Sequence, residues 1–256
     1  MIDPKSPLAA PTGRDSTQRI EIQPDTYRNE LLRRMCPADI ALLQPHLRSE
    51  LLGLKTQLET AGAPISTVYF FESGIGSVVA NLRPAVDAEI GIIGFEGMTG
   101  SALIMGDNQS MHDCYVQLEA EALSIEAALF TAALSESPTL RPFLLRYVHY
   151  FHLQASFTGL INARMKLEDR LARWLVMFGD RVQGNRLAIT HEFLSVMLGC
   201  RRPGVTIALQ ILEGRGLIRS KRREITIRDR TGLIAMANGS YGRPEAEYAR
   251  LVGHIH

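Results

Sequence analysis

The sequence predicts an α+β protein in three parts: a small antiparallel β-barrel of the jelly-roll kind, one long helix, and a carboxyl-terminal module of two short helices with a β-hairpin. Three observations support this prediction. Short strand-like segments separated by turns fill residues 68–125, helical periodicity runs from Pro138 to about Met165, and basic residues concentrate between residues 201 and 230. With 256 residues, the chain is long enough for one large or two medium-sized domains.

The first part of the chain shows no targeting or membrane segment. Residues 1–24 are polar, contain several prolines and lack periodicity, so we expect a mobile tail. The apolar runs are shorter than the roughly 18 residues of a membrane span, and no signal-peptide pattern precedes them. These features predict a cytoplasmic protein without a membrane partner. Residues 29–52 are predicted to be helical, with breaks at Pro37 and Pro45.

The barrel is predicted within residues 25–137. Its strand-like segments lie at residues 68–71, 77–80, 88–93, 114–118 and 121–125. Closely spaced strands of this kind form a small barrel or a jelly roll. Between Pro84 and Leu140 the chain has nine acidic residues and no lysine or arginine, which disfavours an anionic ligand in this part of the protein.

The cysteines and histidines form no pattern of a metal centre. Cys36, Cys114 and Cys200 are far apart and odd in number, which argues against a disulfide framework or a zinc site. His149 and His152 are three residues apart on a predicted helix and could present two nitrogens to a metal, but no third ligand is evident. We therefore predict no metal site and interpret both histidines as packing or interface residues.

The segment of residues 138–165 is predicted to be one helix with apolar side chains on more than one side. Such coverage indicates burial against two neighbours, the barrel and a second copy of the chain. The predicted dimer interface consists of Leu144, Val148, Phe151, Ala155 and Thr158. The alternative is a core helix inside a monomer.

A second helix, over residues 166–178, leads into the last domain, predicted to span residues 166–232. Its apolar side chains, among them Trp174 and Phe178, are expected to point inward, and Arg170 and Arg173 are expected to point outward. Residues 233–256 are predicted to be a carboxyl-terminal tail. Residues 232–236 can form a short helical turn at its start, and residues 241–256 have no assigned structure.

The residues from Ala188 to Arg230 predict two helices joined by a tight turn. Thr190 can cap the first helix, Gly199 can end it, and Pro203 fits only into the first turn of the second helix. The apolar stripe of the second helix consists of Val205, Ala208, Leu209 and Leu212. This arrangement is a helix-turn-helix, and an ordinary helical hairpin is the alternative.

A β-hairpin with a basic tip follows the two helices. Alternation around Ile225 predicts its strands, and the tip carries Lys221, Arg222 and Arg223. From residue 201 to residue 230 nine residues are basic and three are acidic, a net charge of +6 in a chain whose total is +1. Such segregation is typical of a surface that binds phosphates, whereas a merely solvated surface usually mixes both signs.

Residues 190–212 resemble the winged helix of the Crp/Fnr family of bacterial transcription regulators. The matching positions are Gly199-Cys200, Arg202, Val205 and Leu209, and similar segments lie at residues 167–175, 201–205 and 239–242. The resemblance covers roughly Tyr27 to Tyr241. It implies a cupin-like barrel and a homodimer along the long helix. The implied partners are double-stranded DNA, a second copy of the chain and RNA polymerase.

In the family, the second helix commonly carries an Arg, a Glu and a second Arg that read a guanine-containing half-site. Here Arg202 stands at the first of these positions, and Pro203 and Ile207 occupy the other two. Arg202 could pair with guanine, and Ile207 could contact a thymine methyl. The predicted base contacts are Arg201, Arg202, Thr206, Ile207 and Gln210, and the predicted phosphate contacts are Thr190, Arg215, Lys221, Arg222 and Arg223.

The resemblance also bears on the ligand of the barrel. In relatives that bind a cyclic nucleotide, a Gly-Glu pair opens a short helix around the phosphate and an arginine follows. This chain has altered spacing and no arginine there, so we predict no tight binding of cyclic nucleotide and leave the effector unknown. The candidate effector pocket consists of Gly94, Glu96, Gly97, Met98, Ser110 and His112.

No cofactor is expected. Some relatives hold an iron–sulfur cluster through several cysteines near the amino terminus, and this chain lacks that set. An enzyme is disfavoured because no nucleophile, base and orienting group form a recognisable pattern. The alternative function is a small-molecule sensor or a protein-interaction module with a vestigial DNA-binding domain.

Overall fold

The computed structural model describes residues 27–83 and 86–254 and confirms the α+β class. The tail predicted for residues 1–24 lies outside the described residues. A barrel with helices at its amino-terminal end is followed by two consecutive helices and a helical module with a small sheet. Among the described residues, no helix combines the length and the apolar character needed to cross a lipid bilayer.

Two short helices, α1 (Glu30–Arg34) and α2 (Pro37–Leu43), precede the barrel, with a 3₁₀ turn at Gln44–His46. Asn29 caps α1, since its side-chain oxygen accepts hydrogen bonds from two backbone N–H groups at 3.1 Å. The prediction of helix as far as residue 52 is wrong. Residues Arg48–Leu52 form strand β1, because they pair with a distant strand and not with the preceding helical turn.

Within the part of the barrel that the structure describes, seven strands form two antiparallel sheets. After β1 they are β2 (Gln57–Glu59), β3 (Thr67–Phe71), β4 (Ile75–Arg83), β5 (Val86–Ile93), β6 (Asp113–Leu118) and β7 (Ala120–Glu126), with a short helix, α3 (Ser101–Met105), between β5 and β6. The strand orders are β1-β7-β3 and β2-β6-β4-β5. Phe71, Val78 and Val116 belong to one hydrophobic cluster between the two sheets. The predicted barrel is therefore confirmed.

Three helices follow the barrel in the chain. They are α4 (Ala127–Glu136), α5 (Leu140–Arg164) and α6 (Leu167–Gly179). The long helix predicted over residues 138–165 is α5, and the helix predicted over residues 166–178 is α6. At Met165 the backbone is extended, which separates the two helices.

The carboxyl-terminal module consists of α6 and the elements that follow it. These are β8 (Arg186–Leu187), α7 (His191–Met197), α8 (Arg202–Gly214), β9 (Ile218–Lys221), β10 (Glu224–Ile227), α9 (Arg230–Met236) and α10 (Arg243–Leu251). Helix α9 confirms the short helical turn predicted at residues 232–236, and α10 gives a structure to the tail from residue 241, which had no assigned structure. Helix α10 packs along α5, where the buried ring of Tyr248 meets Tyr150 edge-to-face at 4.9 Å between ring centres.

The module covers the outer surface of the barrel sheet. Along a strand, successive side chains point to opposite faces, so Val116 of β6 lies inside the barrel and its neighbour Gln117 lies outside. Ile75 and Ile92 of the barrel belong to the same hydrophobic cluster as Trp174 of α6 and Leu198 beyond α7. One hydrophobic cluster therefore contains residues of both the barrel and the carboxyl-terminal module.

Candidate nucleic-acid interface

Helix α7 begins where Thr190 caps it. The Thr190 hydroxyl accepts a hydrogen bond from the backbone N–H of Phe193 at 3.2 Å, which confirms the predicted capping role. The turn after α7 uses Gly199 in the left-handed region at φ 55°, a conformation that glycine adopts without steric strain. The N–H of Cys200 then donates to the carbonyl of Ser195 at 2.9 Å, which closes the turn.

Helix α8 starts at Arg202, with Pro203 in its first turn as predicted. The predicted apolar stripe is buried, with Val205 and Leu212 completely inaccessible to solvent. Helix α8 packs on both α6 and α7 through this stripe. The two helices and their glycine turn therefore form the predicted helix-turn-helix.

The opposite face of α8 is open to solvent. Ile207 keeps 58 % of its surface exposed, and Arg201 and Gln210 are exposed as well. The half-buried Thr206 donates through its hydroxyl to the carbonyl of Arg202 at 3.2 Å and lies 3.3 Å from Nδ1 of His191. The candidate base contacts predicted from the sequence therefore share one face of α8.

Two residues of α7 that were not predicted belong to the same surface. Glu192 forms an ion pair with Arg202 at 2.8 Å, and both side chains are more than half exposed. An ion pair in water is worth at most about 1 kcal/mol, so Arg202 can exchange Glu192 for another partner with little loss. His191 and Glu192 lie in the first turn of α7, directly after the capping residue Thr190. Their place beside the predicted cap is the sequence signal that could have identified them.

The hairpin, here called the wing (residues 218–227), continues the exposed basic surface. Strands β8, β10 and β9 form an antiparallel sheet in this order, and Lys221 pairs with Glu224 in register. Arg222 and Arg223 form the turn, with Arg223 in the left-handed region at φ 62°. The side chains of these three basic residues are exposed, and none has a hydrogen-bond or ion-pair partner among the described residues.

Two other basic residues of this region contact the protein itself. Arg230 donates to Asp180 at 2.6 Å and lies 5.7 Å from the centre of the Tyr241 ring. The hydrogen bond to Asp180 raises the pKa of the Arg230 guanidinium. Arg215 is exposed, but its Nη1 lies 3.0 Å from Sδ of Met236. Arg230, which adds to the basic charge of the segment, is thus part of the fold.

Residues 169–236 match the family described as the Crp-like helix-turn-helix domain. The chain carries a Crp-like helix-turn-helix domain. The resemblance to Crp/Fnr regulators noted in the sequence is confirmed by this match, and residues 169–236 are called the Crp-like domain below. No protein of curated function matches the chain.

Solved structures show that the similarity of fold extends beyond this domain. A protein from Eubacterium rectale described as a Crp/Fnr-family transcriptional regulator has a TM-score of 0.66 and 18 % identity, covering 82 % of this chain and 98 % of its own. A Crp-family transcriptional regulator from Thermus thermophilus has a TM-score of 0.62 and 18 % identity, covering 74 % and 97 %. FixK2 from Bradyrhizobium japonicum has a TM-score of 0.62 and 14 % identity, covering 74 % and 96 %.

Several of the predicted effector residues contact other parts of the chain. Glu96 forms a buried ion pair with Arg181 at 2.6 Å, just beyond the end of α6. Gly97 lies so close to α5 that a Cβ atom there would be 2.5 Å from the Tyr147 hydroxyl oxygen, and this hydroxyl donates to the Met98 carbonyl at 2.9 Å. A Cβ atom on Gly94 would likewise lie 2.8 Å from Arg181.

Ser110, a fifth predicted effector residue, contacts a carboxylate of the barrel, and His112 contacts Ser110. Ser110 donates through its hydroxyl to Glu59 at 2.6 Å and is also 2.8 Å from the carbonyl of His112. The second oxygen of Glu59 accepts the backbone N–H of Gly100 at 2.6 Å, next to the start of α3. Glu59 therefore occupies a hydroxyl and an N–H donor that an anionic ligand at this place would require.

The predicted dimer residues of α5 lie largely against their own chain. Leu144 is completely buried in the barrel-side core, so the prediction that it contacts a second copy is wrong. Val148 and Phe151 are half-buried against the clusters of the same chain, and the Thr158 hydroxyl donates to the carbonyl of Gln154 at 2.9 Å. Ala155 is half-buried. The four half-buried positions stay predictions.

The prediction for Arg173 is wrong, because this side chain is buried and not directed outward. Its Nε donates to the carbonyl of Ser240 at 3.1 Å, and Nη1 donates to Thr158 at 3.3 Å. The loop before α10 covers a position that would face solvent on an isolated helix. Arg173, Arg181 and Glu89 were not predicted as site residues, since their partners lie far away in the sequence.

Proposed function

We propose that the chain is a homodimeric, sequence-specific DNA-binding transcriptional regulator. Each copy places α8 in a major groove, with half-sites about one helical turn, roughly 34 Å, apart. One observation carries this proposal: the exposed face of α8 continues into a wing whose tip residues Lys221, Arg222 and Arg223 have side chains without a partner among the described residues. Cations without protein partners release condensed counterions when they meet phosphates, which drives binding to DNA.

Base reading and phosphate binding are assigned to different parts of this surface. Arg202 and Gln210 lie on the exposed face of α8 and have the hydrogen-bonding groups that read guanine and adenine edges. Ile207 lies between them with its apolar side chain in solvent, a placement suited to a thymine methyl. The wing and Thr190 lie at the edges of the surface and fit the phosphate backbone.

The dimer that we propose uses the outer face of α5. Leu145 and Leu160 expose 41 % and 57 % of their surfaces, and both lie on this face. Large apolar side chains exposed at helical spacing favour a second copy of the same helix as partner. The predicted interface around Val148 and Phe151 therefore shifts toward the side of α5 that faces away from its own barrel.

We propose that the barrel binds neither a cyclic nucleotide nor a metal cofactor. The contacts of Glu59 with Gly100 and Ser110 support the first point, because a bound phosphate would have to displace a carboxylate. The three cysteines are free thiols, one exposed, one buried and one half-buried. RNA polymerase as a partner and a cytoplasmic location complete the proposal, both resting on the family resemblance.

A small-molecule sensor is a second candidate, supported by one cleft. It lies between the barrel and the Crp-like domain, has a volume of about 840 Å³, and is lined by Phe95, Phe178, Val182 and the charged residues Arg28 and Arg186, among others. Clefts of this size hold drug-sized ligands. In this case the protein would bind an effector but no operator.

Recovery of DNA fragments tests the proposal. The purified chain is mixed with fragments of its own genome at low ionic strength, and the retained fragments are sequenced. We expect a shared motif with two-fold symmetry and a dimer by analytical ultracentrifugation. A variant with Lys221, Arg222 and Arg223 changed to alanine should lose retention, while the exposed barrel variant Arg48→Ala should keep it.

Other results would contradict parts of the proposal. A monomer that does not bind duplex DNA at low salt would contradict the whole proposal. The small-molecule sensor would then be the remaining candidate. Micromolar affinity for a cyclic nucleotide in calorimetry would contradict the role assigned to Glu59.

A further inference from the structure

A carboxyl group lies buried at the contact between the barrel and the Crp-like domain. Glu89 of β5 is on the outer surface of the barrel sheet and is only 4 % exposed. One of its oxygens accepts the indole N–H of Trp174 in α6 at 2.7 Å. Since β5 belongs to the barrel and α6 to the Crp-like domain, this hydrogen bond joins the two parts of the protein.

The other oxygen of Glu89 binds side chains of the barrel that also touch the Crp-like domain. It accepts the Ser77 hydroxyl of β4 at 2.6 Å and the amide of Gln117 of β6 at 3.2 Å. The same two side chains lie 3.6 Å and 2.9 Å from Sδ of Met197 in α7. Glu89 is therefore at the centre of a polar cluster that contacts both α6 and α7.

The surroundings of Glu89 favour its protonated form. Burial raises the pKa of Glu89 to about 7, although the hydrogen bonds from Ser77, Trp174 and Gln117 and the nearby Arg173 lower it. Burial lowers the pKa of Arg173, whereas the nearby carboxylates of Glu245 and Glu89 raise it. On β6, burial and the neighbouring Glu89 raise the pKa of Tyr115 to about 12, so this phenol stays neutral.

An unsatisfied acceptor next to the carboxyl fits a bound proton. The amide oxygen of Gln117 is buried and has no hydrogen-bond partner among the described residues. Rotation of this amide by half a turn would bring the oxygen to the position from which its nitrogen now contacts Glu89. A protonated Glu89 could then donate to this oxygen, while the amide nitrogen would move to the place where the oxygen now has no partner.

We propose that the Glu89–Trp174 contact is a proton-sensitive latch that holds the Crp-like domain against the barrel, closed while the carboxyl is protonated and weakened once it ionises. The latch concerns two parts of one chain, so it does not depend on DNA being the ligand. The latch makes the orientation of α7 and α8 relative to the barrel depend on pH.

The direction of this dependence follows from linkage. Separation of the two parts returns Glu89 to water, where its pKa returns to its ordinary value of 4.5, whereas the docked form keeps the proton up to about pH 7. Docking is therefore strongest below the ordinary value and weakens as the pH rises toward 7. Above that point the contribution of the proton is lost, and the docking constant has fallen roughly a hundredfold or more.

Trp174 is a direct probe of the latch, because it is the only tryptophan in the chain. Emission and acrylamide quenching of the full-length protein are measured from about pH 5 to about pH 9 at constant ionic strength. We expect one transition with a midpoint at about 7. Quenching should be greater on the alkaline side, where the indole becomes more accessible.

Three variants separate the latch from a general pH effect. Glu89→Gln copies the protonated form and should remove the transition, with quenching low throughout. Glu136→Gln changes an exposed carboxylate of α4 and should reproduce the wild-type curve. Ser77→Ala removes a hydrogen bond that lowers the pKa of Glu89, so its midpoint should move to higher pH.

Each result bears on the proposal. A flat wild-type curve, a transition that persists in a folded Glu89→Gln protein, or a Ser77→Ala midpoint that is unchanged or lower would overturn it. Should circular dichroism show Glu89→Gln unfolded, the Ser77→Ala midpoint still decides, because a merely structural serine would not shift a titration.

Discussion

Two groups of arginines in the carboxyl-terminal part of the chain have opposite surroundings. Arg173 and Arg181 of the barrel-facing side are 5 % and 6 % exposed and are bound to partners from the barrel, α5 and the loop before α10. Arg222 and Arg223 of the wing are exposed and have no partner among the described residues. The same residue type thus holds the domains together on one side and is free to bind a polyanion on the other.

The energetic consequences of the two surroundings differ as well. A buried ion pair is costly to desolvate, so removal of one partner leaves an uncompensated charge in the protein interior. An exposed arginine loses little when it is removed from the free protein. Mutations on the two sides should therefore affect different properties, stability for the buried group and DNA binding for the exposed group.

The largest effect is expected from Arg181→Met. Burial alone would lower the pKa of Arg181, but Glu96 and Tyr150 raise it above its ordinary range, which shows how strongly the charge is held. The substitution leaves Glu96 buried without a counter-charge and should lower the free energy of unfolding by about 3 to 5 kcal/mol in urea titrations.

The double variant Arg181→Met with Glu96→Gln serves as control, since it removes both charges and should recover part of the loss. Equal losses in the single and double variants would show that the ion pair is not the cause.

An intermediate effect is expected from Arg202→Ala, measured with operator variants that differ by one base pair. This variant should lose about 1 to 3 kcal/mol of discrimination at one position of the operator. Lys221→Ala should instead weaken binding to every sequence alike and reduce the salt slope by about one. Equal behaviour of the two variants would contradict the separation of base reading from phosphate binding.

A smaller effect is expected from Thr190→Ala. Loss of the hydroxyl leaves the N–H of Phe193 without its capping acceptor, which should lower stability by about 1 kcal/mol in thermal or urea unfolding. Thr190→Ser keeps the acceptor and should restore most of the loss. If alanine and serine behave alike, the cap does not contribute to stability.

Local signals explain why the helix-turn-helix was predictable. Thr190, Gly199 and Pro203 act on backbone groups within a few residues of themselves, and the apolar stripe of α8 repeats within one helix. The long helix α5 was predictable for the same reason. The dimer surface of α5 stays a prediction, because apolar side chains on several sides of a helix do not tell which side its own barrel covers.

Predictions failed where the deciding contact came from a distant part of the chain. The sequence predicts helix where the structure has strand β1. The strand depends on pairing with β7, in which Arg48 lies opposite Ser124, and such a distant partner leaves no local signal. The periodicity of α6 places Arg173 on the side predicted to be exposed. In the structure its guanidinium binds the carbonyl of Ser240 and the hydroxyl of Thr158, which come from distant parts of the chain. The candidate effector residues rest on the resemblance to relatives that bind a cyclic nucleotide, and the sequence does not show that Glu96 forms an ion pair with Arg181.

The amino-acid sequence by itself determined the α+β class, the helix-turn-helix with its wing, and the separation of a basic module from an acidic barrel. It could do so because caps, turns, periodicity and charge are encoded within short segments. Tertiary structure alone decided which charges are buried and how the Crp-like domain rests on the barrel. Contacts such as Glu89 with Trp174 join residues that have no shared local pattern, so they exist only once the two parts have packed.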